Sequence, residues 1–369
     1  MDYKSFLIYG SCLLLMILFA YLYTYFEKSD KCFCNIKVRL ICKLLLILVP
    51  TILAGIRYNV GTDFLTYIKM YDNLKGIECI DYFTKYAAIF DIEPSFYIIS
   101  RFAYLFFDSV KVVFYIYELI IVIFVVSALE RFNVRKMLPL SIYIFFLYFI
   151  PISFNLIRHT AALAIIFYAL SYFYEEKYFK FIIYVFLATL FHKTAIIFFL
   201  VLFFIPSKNE KINTMKIKIY YIMIVLSPLI LNITMRFIKY IPFLSSYFEK
   251  YNVNFNNSGF GFLIFILPTM LPIIYMWKKG EKQNIIQSTM NVYLLTIPLS
   301  YLGYYLSWAG RMADYTRLLE IVLLPWLLTK QNQKEKKYIL LYFILFYLFY
   351  YIYMYMFLGN NEIFPYQVW

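Results

Sequence analysis

Four short stretches hold the side chains in this sequence capable of acid, base or ligand chemistry. The first contains Gly55, Arg57, Gly61, Thr62, Asp63 and Tyr67. Gly61 permits a turn, Thr62 or Asp63 can cap a following helix, and Asp63 and Tyr67 then share one face at the i, i+4 spacing. In that setting Arg57 can grip a phosphate with its planar fork, while Asp63 serves as a base or a sugar ligand. An Arg57 to Asp63 salt bridge closing the loop would satisfy the same residues without a ligand. The second stretch, Asn155 to Thr160, sets Arg158 in the first turn of a helix, where the macrodipole disfavours a cation. Arg158 therefore needs an anionic partner, either a substrate phosphate or a carboxylate such as Glu93 or Asp314. His159 beside it reads as a hydrogen-bonding neighbour.

The third stretch puts His192 at a tip between two apolar segments, as an acid-base or phosphate-contacting group or as a satisfied buried imidazole. In the fourth, Arg311, Asp314, Arg317 and Glu320 alternate in sign every third residue along one helix face. Arg317 and Glu320 are expected to neutralise each other, which leaves Arg311 as the ligand candidate at the mouth, with Asp314 beside it. Glu118, inside an apolar run, is expected to meet a cation from another helix.

The elements that carry these groups are set by lipid. Of 369 residues 63% are hydrophobic and only 15% charged, where a soluble chain has about a quarter charged. That excludes a water-soluble enzyme, a disulfide scaffold and a disordered tail. The fold class is all-α: one polytopic transmembrane domain over residues 1–369, with about 12 spans (range 10–13) of about 20 residues each. The first run, Ser5 to Phe26, reads as a retained span rather than a signal peptide. The formal charge of +14 does not point to nucleic acid, because no basic amphipathic stretch stands apart from the apolar runs. Cys32 and Cys34 make half a metal site at most, and the five cysteines read as reduced. No motif for ATP, zinc or a serine nucleophile is present, so neither nucleotide nor metal is expected as a cofactor. The 84 aromatic residues mostly fill lipid-facing helices and interfacial belts.

Lysine and arginine orient the spans. Six segments, beginning at Glu27, Glu130, Glu175, Ser207, Lys278 and Lys330, hold 21 of the 35 basic residues against eight acids, and they fall on alternate connections. With these segments in the cytoplasm, the external side receives loops 57–110 and 236–259, the Asn155 to His159 connection, His192 and Arg311. Residues 94–107 carry Arg101 midway and read as an external interfacial or re-entrant helix, and residues 181–205 as a hairpin tipped by His192. The four chemically active stretches thus converge on one face.

Taken together, these residues resemble a known family. The Gly55 to Tyr67 loop, the Glu93-Pro94 step, the Arg158 helix entry, the run from Phe191 to Ala195 and the run from Arg311 to Tyr315 are similar to motifs of the EpsG family of Wzy-like bacterial polysaccharide polymerases. That family more often has Gln where His159 stands and Gly where Ser95 follows Glu93-Pro94. The resemblance implies glycosyl transfer at the outer face of the bacterial cytoplasmic membrane, in capsular, exopolysaccharide or O-antigen biosynthesis. The substrates would be two undecaprenyl diphosphate-linked oligosaccharides, and a flippase and a chain-length regulator of the same pathway would be partners. Arg57, Arg158 and Arg311 would bind the diphosphate or sugar, aided by Tyr67, His159 and Asp314. Asp63, Glu93 or His192 would activate the acceptor hydroxyl, in that order. A transporter or flippase of the same lipid-linked glycans, or a membrane acyltransferase using His192 as base, are the competing readings.

The alternation of basic segments predicts a labelling pattern. In intact cells Asn209→Cys should be shielded from a membrane-impermeant thiol reagent and Asn257→Cys should react; reaction at position 209 would invert the topology.

Overall fold

A computed structural model describes residues 3–27, 33–90, 92–200, 214–238, 261–279, 284–303, 305–306 and 310–369. Positions 209 and 257, and most of the expected external loop 236–259, lie outside the described residues. Among the described residues the chain is helical, with no strand and one isolated bridge between Arg57 and Val368. Helices are the expected answer, because they satisfy every backbone polar group without water.

Among the described residues, six helices are long and apolar enough to cross a membrane. In chain order these are α1 (Tyr3–Glu27), α2 (Phe33–Ile56), α5 (Lys111–Arg131), α6 (Arg135–Asn155), α9 (Thr214–Ile238) and α15 (Gln333–Phe357). Between them lie α3 (Phe64–Leu74), α4 (Pro94–Phe107), α7 (Ile157–Tyr174), α8 (Tyr178–Phe191), α10 (Leu263–Lys279), α11 (Asn284–Leu294), α12 (Thr296–Leu302), α13 (Met312–Arg317) and α14 (Glu320–Leu328). The protein is a polytopic helical membrane protein. Some apolar runs are divided between shorter helices. The uncharged run from Gln283 to Gly310, for example, is broken at Leu295 into α11 and α12. A 14-residue helix spans about 21 Å, so α4 falls short of a hydrocarbon core of about 30 Å.

The chain divides into two compact units, one of Met1–Phe198 with Leu340–Trp369 and one of Phe199–Ile339. In the first unit α5 packs between α2 and α7, α1 lies on α2, and α8 on α7. The first three basic segments meet at one end of this unit. Lys43 pairs with Glu130 at 2.8 Å, Arg135 with Glu27 at 2.6 Å, and Arg131 with Glu175 at 2.6 Å. Tyr23 donates a further hydrogen bond to Glu130 at 2.6 Å, which ties α1 into the same knot.

At the other end, the chain's last ten residues close over the connection between α2 and α3. Tyr58 donates its N–H to the Gln367 carbonyl at 2.8 Å, Gly61 to that of Glu362 at 3.1 Å, and Trp369 to that of Ile56 at 3.1 Å. Tyr366 reaches the Leu53 carbonyl through its hydroxyl at 2.6 Å. Gly61 makes this closure possible: its φ is +103°, and a Cβ there would run into the carbonyl oxygen of Phe154.

Gly61→Ala should therefore lower thermal stability in detergent by at least about 1–2 kcal/mol, the penalty of a left-handed backbone for an L-residue before any clash. An unchanged melting temperature would mean that the loop does not pack against the end of α6.

Candidate functional site

The end of the first unit opposite the basic knot gathers those residues singled out from sequence that belong to this unit. α6 stops at Asn155, Leu156 leaves helical geometry with φ −112° and ψ 59°, and α7 starts at Ile157. This joint sets Arg158 one residue inside a new helix. Its guanidinium forms an ion pair with Glu93, the residue that precedes Pro94 at the start of α4. The Glu93 side chain is 6% exposed and that of Arg158 22%, so the cation keeps one open edge. The Arg158 guanidinium also lies 6.0 Å from the Tyr67 ring centre and 5.9 Å from that of Phe96. Burial pushes the Tyr67 phenol above its ordinary pKa, while the charge of Arg158 and a hydrogen bond to it pull the other way. Of the two partners expected for Arg158, a carboxylate and a phosphate, the carboxylate is in place.

Asp63 sits at the N-terminal flank of α3 without capping it through its side chain. Its backbone N–H instead donates to Asn155 Oδ1 at 3.0 Å, and its carboxylate is half-buried one helical turn before Tyr67. Asn155 in turn donates to Asn361 Oδ1 at 3.2 Å, and Asn361 donates to the Pro151 carbonyl at 3.1 Å. Two asparagines and the C-terminal tail thus hold the Asp63 loop against the joint. Sequence reading missed this, because amides 206 residues apart leave no local signal.

His159 is buried on the far side of the same turn, and its ring centre lies 5.1 Å from that of His192 in an edge-to-face arrangement. The chain's only two histidines, from different helical segments, are therefore neighbours. Nδ1 of His192 is 2.7 Å from the Thr194 hydroxyl. The adjoining floor is aromatic. The Tyr117 hydroxyl is 3.0 Å from that of Ser95, and its ring meets Phe96 and Phe191 at 6.1 and 5.9 Å. The Ser95–Tyr117 contact was also not anticipated.

Arg57 behaves differently from the expectation of a ligand-gripping fork or an Asp63 salt bridge. Its side chain is 1% exposed, covered by the rings of Phe154, Phe114 and Phe64 at 4.4, 4.9 and 5.9 Å, and its Nη1 donates to the Phe154 carbonyl at 2.7 Å. Burial pulls its pKa down to about 10, opposed chiefly by the charge of Glu118, and the guanidinium stays cationic at neutral pH.

In the second unit Arg311 is exposed at the start of α13 and Asp314 is half-buried one turn on. Residues 307–309, just before them, lie outside the described residues. Arg317 and Glu320 are buried 3.7 Å apart. Glu320 Oε1 accepts from Thr269 at 2.9 Å and Tyr293 at 2.8 Å, and Arg317 donates to the Phe265 carbonyl at 2.9 Å. This pair is a structural knot, as its sequence spacing indicated.

Membrane helices with a cluster of cation, carboxylate, phenol and imidazole at one end of the first unit define the class: a polytopic helical membrane protein with a polar site. The chain matches the family model of the EpsG family over residues 40–368, nearly its whole length, and it belongs to that family, whose members are Wzy-like polysaccharide polymerases. No curated protein and no solved structure matches it.

The Arg158–Glu93 pair is measurable by a double-mutant cycle. Glu93→Gln and Arg158→Gln should show a coupling of about 1.5–3 kcal/mol in unfolding, the range for charged hydrogen bonds. Additive losses would mean that the two side chains do not meet.

Proposed function

We propose that this protein joins undecaprenyl diphosphate-linked oligosaccharide repeat units at the outer face of a bacterial cytoplasmic membrane, building a capsular, exopolysaccharide or O-antigen chain. The observation that carries this reading is the half-open Arg158 guanidinium, fixed by Glu93 and flanked by Tyr67, at the end of the first unit opposite the paired basic segments. With those segments in the cytoplasm and about twelve spans in all, this end faces outward. Family membership supports the polymerase class, and the site supplies what its chemistry requires.

In the reaction, the bond between the anomeric carbon of the growing chain and its lipid diphosphate breaks as an acceptor hydroxyl of the next lipid-linked unit attacks that carbon. The diphosphate departs with the bonding electron pair. A fixed cation in a water-poor setting stabilises that developing charge without reorganising at the moment of transfer. Arg158 is suited to this because Glu93 orients it and its open edge can take a phosphate oxygen. The acceptor proton passes to a base. Asp63 is first in line, since its carboxylate is half-buried on a loop held by Asn155; Glu93 already serves Arg158, and His192, packed on His159, comes next. Tyr67, itself buried, backs the Arg158 guanidinium from the side of α3. Arg311 and Asp314, in the second unit, are kept as separate contacts for glycan or diphosphate. A flippase and a chain-length regulator would act before and beside this step.

Purified protein in lipid vesicles should elongate an undecaprenyl diphosphate-linked repeat unit with no nucleotide and in the presence of EDTA. Arg158→Lys should lower turnover about 100- to 1,000-fold at matched folded protein, the cost of losing one well-placed electrostatic stabiliser. Transport of the lipid across the vesicle without elongation would favour a flippase, and activity restored only by magnesium would replace the arginine with a metal ion.

A further inference from the structure

The joint between α6 and α7 is held by two ionisable side chains that both lie inside the protein. From one side Arg57 Nη1 donates to the Phe154 carbonyl at 2.7 Å. From the other, Glu118 on α5 accepts a hydrogen bond from the Ser153 hydroxyl at 2.8 Å. The same hydroxyl lies 2.8 Å from the Ile150 carbonyl oxygen and shares its one proton between the two acceptors, which ties Glu118 to the last turn of α6. Arg57 is 1% exposed and Glu118 2%. Neither has an ion pair of ordinary length among the described residues. Two buried ionisable side chains are thus spent on consecutive residues, Arg57 on the Phe154 carbonyl and Glu118 on the Ser153 hydroxyl.

Those two residues precede Asn155, which anchors the Asp63 N–H, and Arg158 follows only three residues later. We infer that Arg57 and Glu118 are paired positioning residues: together they fix the α6–α7 joint, and through it the placement of Arg158 and Asp63, without touching substrate. The geometry explains why an arginine is needed here. Its planar fork reaches the carbonyl while its flat faces lie against Phe154 and Phe114, at 4.4 and 4.9 Å, which a lysine ammonium could not match. It also explains why a carboxyl group is buried in a membrane helix: it grips Ser153 at the end of α6.

The effect on joining of repeat units rests on the function proposed above, but the movement of the joint does not, and the test separates them. Full-length protein in lipid vesicles would carry Arg57→Gln, Glu118→Gln or both, with rates normalised to folded protein. In a parallel set with the native cysteines replaced, Arg158→Cys reports the position of the α7 entry through its rate of reaction with a water-soluble thiol reagent. Each single change should slow joining at least about tenfold, because small misplacements of a reacting group cost that much or more. The double variant should be no slower than the slower single, the mark of residues acting as one unit. Labelling at position 158 should change in all three. If one charge removal prevents folding, Ser153→Ala removes only the Glu118 contact and should change labelling in the same direction. Slowdowns that multiply in the double variant, or labelling at position 158 that stays unchanged, would overturn the inference. A wild type that joins no repeat units would sink the function reading alone, since the labelling arm still reads the joint.

Discussion

An ionisable side chain buried inside a protein must bring its own partners, and much of the first unit is organised by that requirement. Arg57 and Glu118 are shut away from water and Arg158 mostly so, and each is met by a ring, a carbonyl, a hydroxyl or an opposite charge. The helices that supply these partners are consequently fixed relative to one another. α2 ends where Arg57 begins, α5 contributes Glu118 and Phe114, and α6 stops where its backbone is gripped. The break in helix at Leu156 is the structural outcome, and it presents Arg158 and His159 at the start of α7.

The C-terminal tail completes this arrangement from the opposite end of the chain. It hydrogen-bonds to Ile56, Tyr58 and Gly61, and Trp369 lies 5.7 Å from the Phe64 ring, while Lys111 sits 4.8 Å above its indole. The tail and the two asparagines, Asn155 and Asn361, hold the Asp63 loop in place. A carboxylate proposed as base and a cation proposed as electrophilic support therefore rest on a common framework, which is what positioning for group transfer requires.

Sequence reading worked where a residue's cost is intrinsic. Arg158 in the first turn of a helix opposes the macrodipole whatever surrounds it, so its need for an anion could be anticipated, and Glu93 was among the partners named. The Arg317–Glu320 pair was likewise legible from a three-residue spacing on one helix. Helical class followed from apolar composition, which lipid makes decisive. Long-range relations were not legible. Nothing near Arg57 in the sequence announces Phe154 or Glu118, and its pattern of neighbours fitted a phosphate grip or an Asp63 bridge equally well. The pairing of His159 with His192 and the closure by residues after Asn360 depend on tertiary packing. Span lengths also escaped, because an uncharged run reads as continuous even where the helix breaks, as at Leu295.

The central claim is that the Arg158–Glu93 end of the first unit meets a lipid diphosphate-linked glycan. The most direct measurement places a photo-crosslinking amino acid at position 67 or, as a control, at position 180 near the basic knot, in cells making a radiolabelled lipid-linked repeat unit. The account predicts that position 67 captures the glycan-bearing lipid and that position 180 does not. Capture at position 180 with none at position 67 would contradict it, and would move the site to the other end of the helices.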